Sequence, residues 1–457
     1  MREALKVGVS GVRGIVGKSF SPQVATEFAQ AFGTFVGRGP VVVGRDTRTT
    51  GMMVENAVIA GLQSVGCQPL LAGIVPTPTV LILTKELKAR GGIAITASHN
   101  PVQWNALKFI GDNALFLNEL RAEELINIYH SQEFNLTKES EIPEVAKIED
   151  PMNPHYKKIA DYVDLKKVSG KKFKVAIDCC NGVGAIHSVP FLRDYLSCEV
   201  ISVLDKPTGA FEREPEPTPE SLTALCEAVR RNGCDIGFAQ DPDGDRLAIV
   251  DENGEPLGED FTLTLGIQQV LNSHKKGPVA VNLSSGKTVD YVTEQANEKV
   301  TRTKIGEINV SETMLEIGAV AGGESNGGLI IPAVHPCRDS YVSMAIILEM
   351  LADSGKSISA LKAAIPEYHI IKEKIKVSND ASLKILRAVR QHYQNETLNL
   401  LDGVHVDFGD SWIHARRSNT EPVIRVMAEA PTREKAEKLA DELKSIVNFK
   451  ATDDSDD

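Results

Sequence analysis

Short β-branched runs alternate with helix-length segments over most of this chain, and that alternation restricts the fold more than any other feature. Pro40-Val41-Val42-Val43-Gly44 precedes a helical stretch at residues 53–65, Pro69-Leu70-Leu71-Ala72 precedes another at 80–88, and Gly91-Gly92-Ile93-Ala94-Ile95 closes the round. Strands spaced by helices imply parallel βαβ units. The cycle restarts at residues 173–178 and runs through 199–203, a helix at 219–231 and a strand at 236–240. A third round comprises a helix at 260–271, a strand at 279–283 and a long helix near 340–352. The style then changes. A strand at 369–377, a helix at 381–393, strands at 404–408, 412–415 and 423–428, and a closing helix at 433–447 predict an α+β unit with an antiparallel sheet. Boundaries near Asn153, Pro256 and Glu367 divide the chain into domains 1–153, 154–256, 257–367 and 368–457.

Composition narrows the class. A chain of 457 residues is too long for one core, which fits several domains. Its net charge of −12 argues against a nucleic-acid partner, which would call for a basic face. The seven Cys form no C-x-x-C pair, and adjacent Cys179 and Cys180 are poorly placed to bridge each other. Free thiols in a reducing cytoplasm are the expectation. Met1-Arg2-Glu3-Ala4-Leu5-Lys6 lacks the apolar core of a secretory signal. No apolar run approaches the ~20 residues of a membrane span, so no membrane partner is expected.

Four polar loops carry the chemistry. Thr96-Ala97-Ser98-His99-Asn100-Pro101 puts a serine hydroxyl directly after an apolar strand. Such a serine is as readily a helix N-cap as a nucleophile or phosphate carrier. A Ser–His hydrolase is disfavoured, because adjacent residues rarely bring imidazole onto hydroxyl and no G-x-S-x-G elbow is present. Asp241-Pro242-Asp243-Gly244-Asp245-Arg246 sets carboxylates at alternate positions on a glycine turn, where they can converge on one hard cation. Three other readings compete: a calcium EF-hand, an aspartyl-phosphate enzyme using Asp241, and a solvated turn. Arg246 at the turn-glycine position and strand-like flanks oppose the first. Gly322-Gly323-Glu324-Ser325-Asn326-Gly327-Gly328 is a polar glycine loop of a common kind. Arg416-Arg417-Ser418-Asn419-Thr420-Glu421-Pro422 is a turn between strands whose cations and small donors suit a phosphate that is held and not cleaved. Gly182-Val183-Gly184 lacks a complete G-x-G-x-x-G, so no dinucleotide site is expected.

In this order, from Gly11 to about Arg425, the loops resemble the active-site loops of the α-D-phosphohexomutases. The resemblance implies three similar mixed α/β domains and a C-terminal α+β domain around a central cleft. It implies that Ser98 carries a phosphoryl group, and that Asp241, Asp243 and Asp245 bind Mg²⁺ together with that phosphoserine. Arg246 would pair with phosphate oxygens and Glu324 would accept sugar hydroxyls. Arg416, Ser418, Asn419 and Thr420, assisted by Arg425, would hold the distal phosphate. Asn105 and Lys108 match the family loop, whereas Trp104 and Ala106 depart from it. Many members carry a histidine where this chain has Gly328, so Lys108, His99 and Arg13 are the remaining acid/base candidates. Asn326-Gly327-Gly328 resembles the archaeal-type phosphoglucosamine mutase branch. Gly306-Glu307, Arg338-Asp339 and Ser10-Gly11-Val12-Arg13-Gly14 resemble further family segments.

The activity so implied is interconversion of hexose 6-phosphate and hexose 1-phosphate through a sugar 1,6-bisphosphate. Glucosamine 6-phosphate is the expected substrate, with glucose or glucosamine 1,6-bisphosphate as activator. Competing readings are a broad phosphomannomutase/phosphoglucomutase, a serine-dependent sugar phosphatase and a non-catalytic sugar-phosphate binder. The family contains monomers and homodimers.

Overall fold

A computed structural model describes residues 5–9, 11–418 and 422–453. The described residues form four sheets. In the first, Gly91–Ile95, Gly39–Arg45 and Cys67–Ile74 run parallel, as their intervening helices require. Trp104–Ile110 departs from the parallel pattern. It returns antiparallel between Gly91–Ile95 and Gly11–Ile15, because residues 96–103 are too few for a crossover helix.

The same device recurs twice. In the second sheet Ile236–Gln240, Lys174–Asp178 and Glu199–Val203 are parallel, and Leu247–Val250 comes straight back. In the third, Val300–Thr303, Val279–Asn282 and Ala321–Glu324 are parallel, and Gly328–Ile331 returns antiparallel. The glycine-rich stretch is therefore largely strand, with Glu324 paired to Gly328. Each of these sheets thus turns a hairpin at the C-terminal end of a parallel strand. Those hairpins are the serine, aspartate and glutamate loops. The fourth sheet is antiparallel throughout, ordered His369–Lys376, Val423–Ala430, Trp412–Arg417, Val404–Asp407, Thr397–Asn399.

Several helices lie outside the segments read from the sequence, among them Pro22–Val36, Lys287–Gln295 and Glu307–Ile317. The helix expected at 260–271 runs Phe261–Gln269 and loosens into a π turn over Val270–His274. Helix Ser340–Ser354 is buried along nearly its whole length, so it shows no polar face. Asp339 caps it, accepting from the Tyr341 N–H at 2.9 Å.

One apolar cluster runs from Val42 through Val80, Phe191, Phe238 and Leu263 to Ile346 and Ile365, and so joins the first three sheets. A second belongs to the first sheet alone, around Phe28, Phe32 and Ile93. The fourth sheet has its own cluster, from Ala381 to Val447. All seven Cys are buried free thiols. Among the described residues no helix is long and apolar enough to cross a membrane.

Candidate active site

Ser98 sits at the tip of the first hairpin, buried, with φ of 48°. The left-handed region costs a non-glycine residue about 1–3 kcal/mol, so the surroundings must enforce it. They do so through a buried arginine that sequence reasoning missed. Arg48 donates to the carbonyls of Ser98 (2.6 Å), Asn100 (2.7 Å), Pro101 (2.8 Å) and Trp104 (3.0 Å). Its Nε reaches Asp46 at 3.1 Å, and Asp46 in turn accepts from Thr96 Oγ1 at 2.6 Å. Thr96 Oγ1 accepts the Ser98 N–H at 2.9 Å, which closes the ring. The available signal was Arg45-Asp46-Thr47-Arg48, a charged cluster directly after an apolar strand.

The serine hydroxyl is held between loops. Ser98 Oγ donates to Asp241 Oδ2 at 2.8 Å and lies 3.3 Å from His99 Nδ1. Arg246, then burial, then Arg338 and Arg13 hold the His99 imidazole well below its ordinary pKa against the opposing pull of Asp243. Those arginine charges and the burial favour the neutral ring. Arg13 donates to Asn100 Oδ1 at 3.4 Å, on the outer side of the same loop.

On each aspartate of the loop one oxygen is held by neighbouring groups, and on Asp241 the other accepts from Ser98. Asp241 Oδ1 accepts the N–H groups of Asp245 and Arg246, both at 3.2 Å. Asp243 Oδ2 accepts from Thr77 Oγ1 at 2.6 Å and from Lys108 Nζ at 2.7 Å. Asp245 Oδ2 accepts from Arg338 Nη2 at 2.7 Å. Asp243 Oδ1 and Asp245 Oδ1 are buried without a hydrogen-bond partner among the described residues. One ligand oxygen from each of the three lies within 4.8 Å of the others. Hard oxygen donors with orphaned lone pairs fit a small divalent cation such as Mg²⁺.

Charge balance points the same way. Burial, then Asp243 and Asp245, push Asp241 well above the usual carboxylate range. Burial acts likewise on Asp243, but Lys108, the neighbouring Asp241 carboxyl and the Thr77 hydroxyl bring it below that range. For Lys108, burial favours the neutral amine, and Asp243 and Asp245 outweigh it, so its pKa rises. Lys108 is a fixed ammonium beside Asp243. That suits it to neutralising phosphoryl charge and unsuits it to taking a proton.

Arg338 forms the third corner. Besides Asp245 it donates to Glu307 Oε2 at 2.9 Å and Glu324 Oε2 at 3.2 Å, and it approaches Asn326 Oδ1 at 3.5 Å. Glu324 Oε1 accepts from Asn282 Nδ2 at 2.9 Å and the Gly306 N–H at 3.0 Å. Arg246 pairs with Glu216 Oε1 at 2.6 Å, while its Nε lies 3.8 Å from Asp245 Oδ1 and makes no hydrogen bond among the described residues. Glu216, Thr77 and Asn282 were not anticipated. They lie outside the four loops, and only folding brings them in.

On the fourth sheet Arg416 and Arg425 are direct cross-strand partners. Both present a buried Nε without a partner among the described residues. Burial, then Arg425, lower the Arg416 pKa against Asp402 and Glu324, so Glu324 lies within electrostatic reach of Arg416. Two adjacent guanidiniums short of acceptors are suited to an oxyanion. Ser418 donates its N–H to Val423 O at 3.0 Å. Asn419 and Thr420 lie outside the described residues. Residues of the serine, aspartate and glutamate loops therefore bond to one another around one centre, with Arg416 of the fourth sheet within electrostatic reach of it.

Models of the phosphoglucomutase/phosphomannomutase family match in four consecutive pieces. These are alpha/beta/alpha domains I, II and III over residues 4–136, 153–254 and 259–368, and the C-terminal domain over 373–446. A protein of Methanopyrus kandleri named "Probable phosphoglucosamine mutase" is 36% identical over 445 residues, 96% of this chain and 97% of that protein. A "Phosphoglucomutase/phosphomannomutase" of Thermococcus kodakarensis is 37% identical over 439 residues, 94% of this chain and 95% of its own length. A solved structure of a phosphoglucomutase/phosphomannomutase family protein from Burkholderia thailandensis superposes with a TM-score of 0.83 at 24% identity, covering 96% of each chain, and so shares the fold. The four domain matches and the two relatives aligned over almost the whole length establish that this chain belongs to the phosphoglucomutase/phosphomannomutase family of phosphotransferring mutases.

Proposed function

We propose that this chain interconverts hexose 6-phosphate and hexose 1-phosphate through phosphorylated Ser98, with glucosamine phosphate as its preferred substrate. The observation that carries the reading is the Ser98 hydroxyl on Asp241 at 2.8 Å, inside a buried aspartate loop flanked by Lys108 and Arg338. A serine that is held, charge-compensated and next to a neutral imidazole is arranged for phosphoryl exchange. Each proposed domain, 1–153, 154–256, 257–367 and 368–457, contributes one loop.

The free hydroxyl of the bound hexose phosphate attacks phosphorus. The new oxygen–phosphorus bond forms as the Ser98 Oγ–phosphorus bond breaks. The hydroxyl proton passes to neutral His99, whose Nδ1 lies 3.3 Å from Ser98 Oγ and can return it to the freed serine. Lys108 and Arg246 neutralise the charge on the moving group. Glu324 accepts ring hydroxyls, with Asn326 beside it. Arg416 and Arg425, with Ser418, Asn419 and Thr420, hold the phosphate that does not react. Arg13 supports the serine loop through Asn100. The 1,6-bisphosphate turns within the cleft and returns its other phosphoryl group to Ser98. Glucose or glucosamine 1,6-bisphosphate primes the enzyme by the same exchange. Asp241, Asp243 and Asp245 would hold Mg²⁺, which supplies electrostatic stabilisation of phosphoryl oxygens when bound.

Glucosamine specificity is supported by the Methanopyrus relative's name and by Asn326-Gly327-Gly328. The Thermococcus relative's name supports a second reading, a mutase of broad hexose specificity. Mutase assays with Mg²⁺ and catalytic bisphosphate on glucosamine, glucose and mannose phosphates separate the two. A clear kcat/KM excess on glucosamine phosphate is expected, and comparable rates on all three would establish the broad reading. Steady release of inorganic phosphate without isomerisation would overturn both.

A further inference from the structure

Gly328 shows what stands where a side chain on the returning sugar-loop strand would go. A Cβ at 328 would lie 2.3 Å from Cδ and 2.9 Å from Cγ of Arg338. The glycine is required by close approach and not by its backbone angles. Arg338 fills that space, and it is buried, 8% exposed. Its planar fork cannot swing without losing several acceptors at once.

The three aspartates share a pattern. Each has one oxygen saturated by the protein: Asp241 Oδ1 by two backbone N–H groups, Asp243 Oδ2 by Thr77 and Lys108, Asp245 Oδ2 by Arg338. Each is left with one oxygen to give: Oδ2 of Asp241, now on Ser98, and Oδ1 of Asp243 and of Asp245, which have no hydrogen-bond partner among the described residues. Three single-oxygen carboxylates suit a small octahedral ion that keeps its waters. A larger ion that prefers seven or eight oxygens gains from carboxylates that bind through both. Backbone donors fix Asp241, and domain-crossing side chains fix Asp243. For Asp245 the one side-chain hydrogen bond among the described residues comes from Arg338 at 2.7 Å, with Lys108 Nζ farther off at 3.7 Å from the same oxygen and Arg246 Nε at 3.8 Å from the other.

We propose that Arg338 is a positioning residue that sets cation choice: by occupying Asp245 Oδ2 it restricts that carboxylate to one oxygen and favours Mg²⁺ over Ca²⁺. The proposal rests on the reading of the aspartate loop as a divalent-cation site. Removing Arg338 alone would strand Glu307 and Asp245, so the test pairs the charges in Glu307→Gln/Arg338→Met. A second variant, Gly328→Ala, displaces Arg338 and leaves every charge in place.

Dissociation constants for Mg²⁺ and for Ca²⁺, by calorimetry on the full folded chain, give the ratio directly without turnover. Both variants should shift it toward Ca²⁺ by about tenfold or more, in the range usual for groups that orient metal ligands. Arg338→Lys, which can still donate to Asp245 Oδ2, should recover part of the wild-type preference. An unchanged ratio in folded variants that bind both ions overturns the role of Arg338 and leaves the site reading standing. A wild-type chain that binds neither ion overturns the site reading and the proposal with it.

Discussion

The first three domains and the fourth are joined in different ways. Val42, Val80, Phe191, Leu263 and Ile346 belong to one apolar cluster, so the first three sheets cannot shift against one another without opening a core. Their loops are cross-bonded as well, Ser98 to Asp241, Thr77 to Asp243 and Arg338 to Asp245. The fourth domain has a separate cluster and meets the body through polar contacts. Ser284 Oγ and His414 Nδ1 are 3.1 Å apart, Lys287 Nζ reaches Asp407 at 2.9 Å, and Asp402 accepts the Ile305 N–H at 3.2 Å. Small polar interfaces permit domain motion, and continuous cores resist it. The groups proposed for chemistry stand where packing is continuous. The groups proposed to grip a phosphate during a turn stand where a domain can open and close.

The largest effect should come from the serine. Ser98→Ala is expected to lower mutase turnover by roughly four orders of magnitude or more while leaving the melting temperature unchanged, since Arg48 binds the loop through carbonyls. Retained activity would remove the phosphoserine from the mechanism. Next, Arg48→Met should destabilise the three-domain body by about 3–5 kcal/mol, because Asp46 would be left buried and uncompensated. If the two regions are separately stable, urea unfolding followed by domain-specific probes will show the body's transition move and the fourth domain's stay. A common shift would mean one cooperative unit.

Arg416→Met should raise KM for hexose phosphate about 10–100-fold with a smaller change in kcat, the loss of one charge-assisted contact. An effect confined to kcat would place Arg416 in the reacting end.

Glu429 tests the joint between the regions. It accepts the Lys287 N–H at 2.9 Å and the Trp412 indole N–H at 2.5 Å. Burial, then Asp260, raise its pKa to about 7 from an ordinary 4.5, against the pull of those donors. The folded state therefore holds this proton more tightly than the unfolded chain. The stabilisation is complete below pH 4.5 and lost as pH rises through about 7. Glu429→Gln should flatten the melting temperature across that window, and a profile identical to wild type would remove Glu429 as its source. The smallest effect is expected from Asp407→Asn. Its half-exposed pair with Lys287 should contribute less than about 1 kcal/mol, and a larger loss in denaturant titration would show the joint to be tighter than its geometry suggests.

Periodicity exposed the strand–helix alternation and the change of style after residue 367, because those depend on local burial. It did not expose the antiparallel returns at Trp104–Ile110 and Leu247–Val250, whose direction depends on how short the preceding loop is. Pro22–Val36 went unseen although Ser21 caps it, accepting from the Val24 N–H at 3.2 Å. Ser98, Asp241, Asp243, Asp245 and Glu324 could be picked out because each lies in a dense polar loop. Arg48 and Thr77 could not, since a lone arginine or threonine takes its meaning from partners far along the chain. For Arg48 to Ser98 the separation is 50 residues, and for Thr77 to Asp243 it is 166.

The shared cluster also has a consequence during synthesis. A chain leaves the ribosome N-terminus first. The cluster around Phe28, Phe32 and Ile93 can close as soon as the first domain has emerged. The one containing Val80, Phe191 and Ile236 cannot, because Ile346, Leu348 and Ile365 complete it. Apolar faces of two finished sheets must wait, open to water and to chaperones, until the third is translated. Only the fourth domain can then fold on its own schedule, onto a body already formed.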